Sequence, residues 1–140
     1  MEISQEQAQT GFTQVTILKL AGELDASNYR QVIAAVQAAT AAGAKDLLLD
    51  LSDVNFLSSS GLVALHSIAL LMRGEQLPDM EQGWGAINAV ADFTEHSTSP
   101  ERHFKLLNPQ PRVLKTLAKA GFDRTLEVFD NREAALAAFR

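Results

Sequence analysis

The sequence contains no cysteine, which excludes disulfides and thiolate metal sites and mildly favours a reducing compartment. Its first residues, Met1-Glu2-Ile3-Ser4-Gln5-Glu6, lack the basic and then apolar layout of a secretion signal. No apolar run reaches the roughly 18–20 residues that span a bilayer. The longest, from Leu62 to Met72, is interrupted by His66 and Ser67 and suits a buried helix. From these absences the chain is expected to be soluble and cytoplasmic, with no direct membrane insertion. Twelve basic residues face seventeen acidic ones, for a net charge of −5. No Lys/Arg cluster opposes that balance, so nucleic acid is not expected as a partner. Neither Gly-x-x-x-x-Gly-Lys nor Gly-x-Gly-x-x-Gly occurs, and there is no Gly-x-Ser-x-Gly elbow. His66, His96 and His103 have no metal-ligand spacing. A triad of Ser59, His66 and Asp25 fails on reach, because seven helical residues separate the serine and histidine by roughly 10 Å. The expectation is therefore no enzyme, no metal and no cofactor.

What is present fits one domain over residues 1–140, of mixed α/β class. A chain of 140 residues with 46% hydrophobic content has ordinary globular proportions. Residues 14–21 alternate and are β-branched, which predicts a strand. The opening stretch to about Gln9 suits an antiparallel partner, joined through Thr10 and Gly11. Tyr29, Val32, Ile33 and Val36 recur at helical spacing, with Ser27 as the expected N-cap and Gly43 at the stop. Residues 45–51 form a short apolar run, read as a buried strand parallel to the first. A second helix, apolar on nearly every side, follows from about Ser60 to Arg73. Later, His103 to Leu107 predicts a strand, and Val113, Leu114, Leu117 and Ala118 a helix closed by Gly121. Residues 125–129 predict a last strand, and Asn131 caps a final helix ending at Phe139. The sum is a mixed four- to five-stranded sheet packed with about four helices.

Between about residues 74 and 102 the pattern fails. This stretch holds Pro78, Pro100 and Trp84, the only tryptophan, and reads as an atypical insertion containing at most a short helix over 86–93. Met80, Trp84, Ile87, Val90 and Phe93 suit either an apolar partner patch or packing that completes the core.

Three serines, Ser58, Ser59 and Ser60, followed by Gly61 and Leu62, stand where a strand-end loop meets the apolar helix. Amides at a helix start, with the positive end of the macrodipole, favour an anion. A phosphoryl group there gains charge-assisted hydrogen bonds and changes the surface charge by roughly −1.5 to −2. The same hydroxyls also suit plain helix capping. Gly22-Glu23-Leu24-Asp25 ends the first internal strand. If both strands run parallel, Asp25 and the serines open on one edge of the sheet, where open α/β folds bind ligands.

These segments carry a resemblance. Gly22-Glu23-Leu24-Asp25, the strand ending Leu49-Asp50-Leu51, and Val54-x-Phe56-Leu57-Ser58-Ser59-Ser60-Gly61-Leu62 resemble the STAS domain of bacterial anti-sigma factor antagonists. Leu106-Leu107-Asn108-Pro109-x-Pro111-x-Val113, Ala120-Gly121-Phe122, Val128-Phe129-Asp130 and Glu133-Ala134-Ala135-Leu136 resemble that family's last two strand–helix units. The likeness covers nearly the whole chain outside residues 74–102. It implies a partner switch. The unphosphorylated domain binds an anti-sigma factor serine kinase, phosphorylation ends the binding, and a PP2C-type phosphatase restores it. The family's Asp-Ser-Ser/Thr-Gly-Leu pattern maps the phosphoacceptor onto Ser59, with Ser58, standing in place of Asp, as a competing acceptor. Gly22, Asp25, Ser58, Ser60, Gly61 and Leu62 are the implied partner-binding residues. The alternatives are a non-phosphorylated STAS scaffold subunit of a transporter or signalling complex, and a small-ligand sensor walled by Trp84.

Overall fold

The computed structural model describes residues 1–74 and 101–139. Among them lie five strands and five helices, in one mixed sheet of order β1-β2-β3-β4-β5. Strand β1 (Glu2–Thr10) pairs antiparallel with β2 (Thr13–Leu24) across a two-residue loop, in which Gly11 takes φ 62°. The remaining pairs are parallel: β2 with β3 (Leu47–Leu57), β3 with β4 (Phe104–Leu107), and β4 with β5 (Val128–Phe129). Helix α1 (Tyr29–Ala41) links β2 to β3, and α2 (Ser59–Met72) follows β3. After β4 come α3 (Pro111–Lys119) and the single turn α4 (Phe122–Thr125), and α5 (Arg132–Ala137) closes the chain.

Burial follows the sequence pattern. Leu47, Leu48, Leu49 and Leu51 are all buried, because β3 is covered on both faces. Leu18, Leu20 and Leu49 face a large core with Val32, Val36, Leu65, Ile68 and Leu117. Val15, Ile17, Leu48 and Leu107 face a smaller one, closed by Ala135 and Phe139. Helix α2 buries residues on every side, including His66 at 4% exposure, as its unbroken apolar run requires. Buried Lys105 is satisfied by Glu127 at 2.7 Å and lies over the Phe139 ring.

Three features differ from the sequence reading. Strand β3 does not stop at residue 51 but continues to Leu57, since two register shifts let its upper half follow β2. The last strand shrinks to two residues, because Gly121, at φ 83°, opens the extra turn α4 that takes Phe122 and Thr125 into the core. Asn28 rather than Ser27 takes the N-cap position of α1, without a capping bond from its side chain, and the Ser27 hydroxyl is committed to Asp25.

The short helix expected over 86–93, the Trp84 patch and the Trp84-walled ligand site lie outside the described residues. At the edges of that segment Arg73 Nε donates to Glu101, whose side chain is buried, and the Glu101 amide donates to Thr125 O at 2.7 Å.

Candidate functional site

The site is built where β2 and β3 end together. Gly22 pairs with Val54, Glu23 with Phe56 and Leu24 with Leu57, so the residues that follow, Asp25 and Ser58, emerge side by side. The Ser58 amide donates to Leu24 O at 3.0 Å, fastening one strand end to the other. Parallel strands therefore place the two sequence segments on one sheet edge, as expected if both strands run parallel.

Helix α2 starts from Ser58, whose extended backbone (φ −87°, ψ 177°) and side chain make it the N-cap; its Oγ accepts from the Gly61 amide at 3.3 Å. The structure thus engages Ser58 in capping and leaves Ser59 as the exposed hydroxyl of the three, with Ser60 half-buried. Leu62 N donates to Ser58 O as the first intrahelical bond. The amides of Ser59 and Ser60 precede it and have no partner within the helix. An anion carried on the Ser59 side chain would stand at the positive end of a 14-residue helix.

Close packing sets the position of that helix start. A Cβ on Gly61 would lie 2.4 Å from Leu57 Cδ1 and 3.1 Å from both Leu24 Cγ and Leu24 O. Only glycine lets α2 approach the two strand ends this closely. Gly22 acts through its backbone instead, since at φ 114° it carries the shift in β2 register just before the loop. Both glycines shape the edge. Leu62, half-buried, packs onto the core beneath it.

The neighbouring loop is held by its own side chains. Asp25 Oδ1 accepts from the Ser27 amide at 2.9 Å and from Ser27 Oγ at 2.5 Å. Asn28 Oδ1 accepts from the Asp25 amide at 3.0 Å, and Asn28 Nδ2 donates to Glu23 O at 2.6 Å. The Ser27 hydroxyl and amide hold the Asp25 carboxyl below its usual range, so it is charged at neutral pH. The edge therefore carries a fixed negative charge beside an exposed serine hydroxyl.

Sequence reasoning missed several residues of this pole. Ser27 and Asn28 order the Asp25 loop. Beyond Phe56 a shallow cleft of about 390 Å³ is lined by Glu23, Asn55, Phe56 and Arg112, with the Arg112 guanidinium 5.4 Å from the Phe56 ring centroid. Asn28 was open to discovery as a helix-start residue one position beyond Ser27. Arg112 carried no signal, because only the fold brings α3 beside the upper part of β3.

His66 is buried within α2, away from the exposed Ser59. Among the described residues there is no group of His, Cys, Asp or Glu able to hold a metal, and no helix long and apolar enough to cross a membrane.

A family model described as "Mlab, STAS domain" matches residues 8–78, just over half of the chain's 140 residues. No curated protein sequence matches. Among solved structures, an anti-sigma factor antagonist from Mycobacterium paratuberculosis is 22% identical, with a TM-score of 0.66 over 99% of this chain and 95% of its own. A Thermotoga maritima protein, provisionally assigned as an anti-sigma factor antagonist, is 21% identical, with a TM-score of 0.62 over 87% of this chain and 84% of its own. The Bacillus cell fate determinant SpoIIAA in its phosphorylated form is 19% identical, with a TM-score of 0.54 over 98% of this chain and all of its own. These likenesses establish a shared fold.

Proposed function

The chain belongs to the STAS domain family, and from that premise we propose that it is a cytoplasmic partner-switching protein of the anti-sigma factor antagonist type, gated by phosphorylation of Ser59. It works by binding and not by catalysis. In the unmodified state the edge formed by Asp25, Ser58, Ser60 and Leu62, shaped from beneath by Gly22 and Gly61, engages an anti-sigma factor serine kinase. Phosphorylation of Ser59 adds roughly −1.5 to −2 of charge to a surface that already carries Asp25. Two like charges on one small edge turn a matching surface into a repelling one. A PP2C-type phosphatase reverses the change.

The observation that carries this reading is the exposure of Ser59 at the first turn of α2, beside a charged Asp25 on the same sheet edge. The loss of the family's Asp at position 58 is compatible with it, because serine fills the same capping position. What goes is one negative charge, not the architecture. Affinity capture from the host with wild type, Ser59→Ala and Ser59→Asp tests the gate. The first two should retain a common kinase partner and the third should lose it. Equal retention by all three would remove the charge mechanism.

A second reading has its own support. With Ser58 occupied as a cap and the acid absent, the domain also suits a constitutive, unphosphorylated scaffold subunit of a transporter or signalling complex. Equal retention by all three forms, with no phosphoryl group at any growth stage, is its signature.

A further inference from the structure

The outer face of α3 carries a feature that the switch does not use. Residues 111–124 hold four of the chain's twelve basic residues against one acid, Asp123. Three of the four, Arg112, Lys115 and Lys119, recur at i, i+3 and i+7. They form one exposed ridge, roughly 10 Å long, on the side of the helix away from buried Val113 and Leu117. None of the three forms an ion pair among the described residues. Pro111, Leu114 and Ala118 recur at the same spacing and flank the ridge with exposed apolar surface. Leu114 is one of the two large hydrophobic side chains exposed among the described residues. The Arg112 guanidinium lies 5.4 Å from the centroid of the Phe56 ring, which fixes the first charge of the ridge beside the upper part of β3.

Exposed lysines are common and by themselves mean little. This ridge, however, works against its own helix. Arg112 sits in the first turn, where the macrodipole disfavours a cation, and no acid shares that turn. Arg112 with Lys115, and Lys115 with Lys119, are like charges three and four residues apart, which destabilise a helix. Folding gives no reason for the arrangement, and local conflicts of this kind gather at functional sites. We propose that α3 docks an acidic helical segment of a partner protein, whose carboxylates meet Arg112, Lys115 and Lys119 while an apolar side chain covers Leu114. The occupant follows from charge and size. A chain of net charge −5 is repelled by an extended polyanion, which counts against duplex nucleic acid and an anionic bilayer. Three charges on a nine-residue helix match a short segment instead. Leu114, at 40% exposure, offers too little apolar surface to enter lipid. This inference does not depend on phosphorylation of Ser59.

Fluorescence anisotropy of the full chain tests it, with a labelled helical peptide of Glu, Ala and Leu carrying three Glu at i, i+3 and i+7 as the probe. Wild type should bind the peptide, and more weakly as salt rises. Lys115→Gln/Lys119→Gln removes two exposed ion pairs and should weaken binding roughly tenfold. Leu114→Ser should weaken it as well. Lys45→Gln/Arg102→Gln takes the same charge from exposed residues elsewhere and should leave binding nearly unchanged. Thermal melts show that each variant is folded, and Lys115→Gln should melt no lower than wild type, because it relieves both like-charge pairs. No binding of the peptide, or equal losses in the two double variants, overturns the proposal. So does tighter binding of phosphatidylglycerol vesicles or duplex DNA than of the peptide. A carbodiimide crosslink from Lys115 to a carboxylate of the same chain overturns it too, since the ridge would then be covered already.

Discussion

Replacing Gly61 with alanine separates packing from helix propensity, since the two predict opposite signs. In an exposed helix Gly→Ala stabilises by about 0.8–1 kcal/mol. At this position the new methyl group would sit 2.4 Å from Leu57 Cδ1, a buried side chain, and 3.1 Å from Leu24 O. Leu57 can move only within a filled core. Leu24 O cannot retreat without loosening its bond from the Ser58 amide. Overpacking costs about 1–3 kcal/mol, and an approach of 2.4 Å belongs to the upper part of that range, about 2–3 kcal/mol, so the net effect is a loss of about 1–2 kcal/mol. For a domain of this size that is a fall in melting temperature of about 4–8 °C. Urea unfolding of Gly61→Ala, Leu57→Val and the double variant measures the coupling. Trimming Leu57 removes the nearest clashing atom, so the alanine should cost less in the double variant than alone. A Gly61→Ala protein as stable as wild type, or more so, would refute the close-approach argument and leave Gly61 as an incidental residue.

Other expectations follow from the same edge and from the sheet behind it. Ser58→Ala should lose about 1 kcal/mol in urea unfolding with the removal of the N-cap, while Ser58→Asp should keep wild-type stability. Asn28→Ala breaks the bonds to the Asp25 amide and to Glu23 O, and should cost about 1–2 kcal/mol. Amide exchange should quicken in residues 23–28 before it does in the sheet. Glu6, hydrogen-bonded and ion-paired to Arg132, has its pKa lowered on folding. Its contribution is therefore present above the unfolded carboxylate pKa and fades as pH falls through the folded one. Glu6→Gln should melt below wild type at neutral pH, and the gap should close on acidification. A gap of constant width would show that the ion pair is not its source.

Much of this was legible in advance, and the reasons differ from place to place. Leu47, Leu48, Leu49 and Leu51 announced a strand buried on both faces, because no other element holds so short an apolar run. Asp25 and the three serines could be put on one edge because parallel strands point their ends the same way. The upper half of β3 escaped notice: Ser52, Asp53 and Asn55 look like loop, and only pairing with β2 through two register shifts makes them strand. Which serine caps and which is exposed was also hidden. Three identical side chains in a row give no contrast until the backbone assigns Ser58 the extended conformation of a cap. Arg112 reaches the cleft by tertiary packing alone, fifty-six residues beyond Phe56 in sequence.

The central claim is that Ser59 is the switched residue. The direct measurement is intact-mass and phosphopeptide mapping of the protein purified from its own host across growth and stress conditions, beside the Ser59→Ala form. One phosphoryl group, located on Ser59 and missing from the variant, is the predicted result. A chain unmodified under every condition, or a phosphoryl group carried on Ser58 with Ser59 bare, would contradict it.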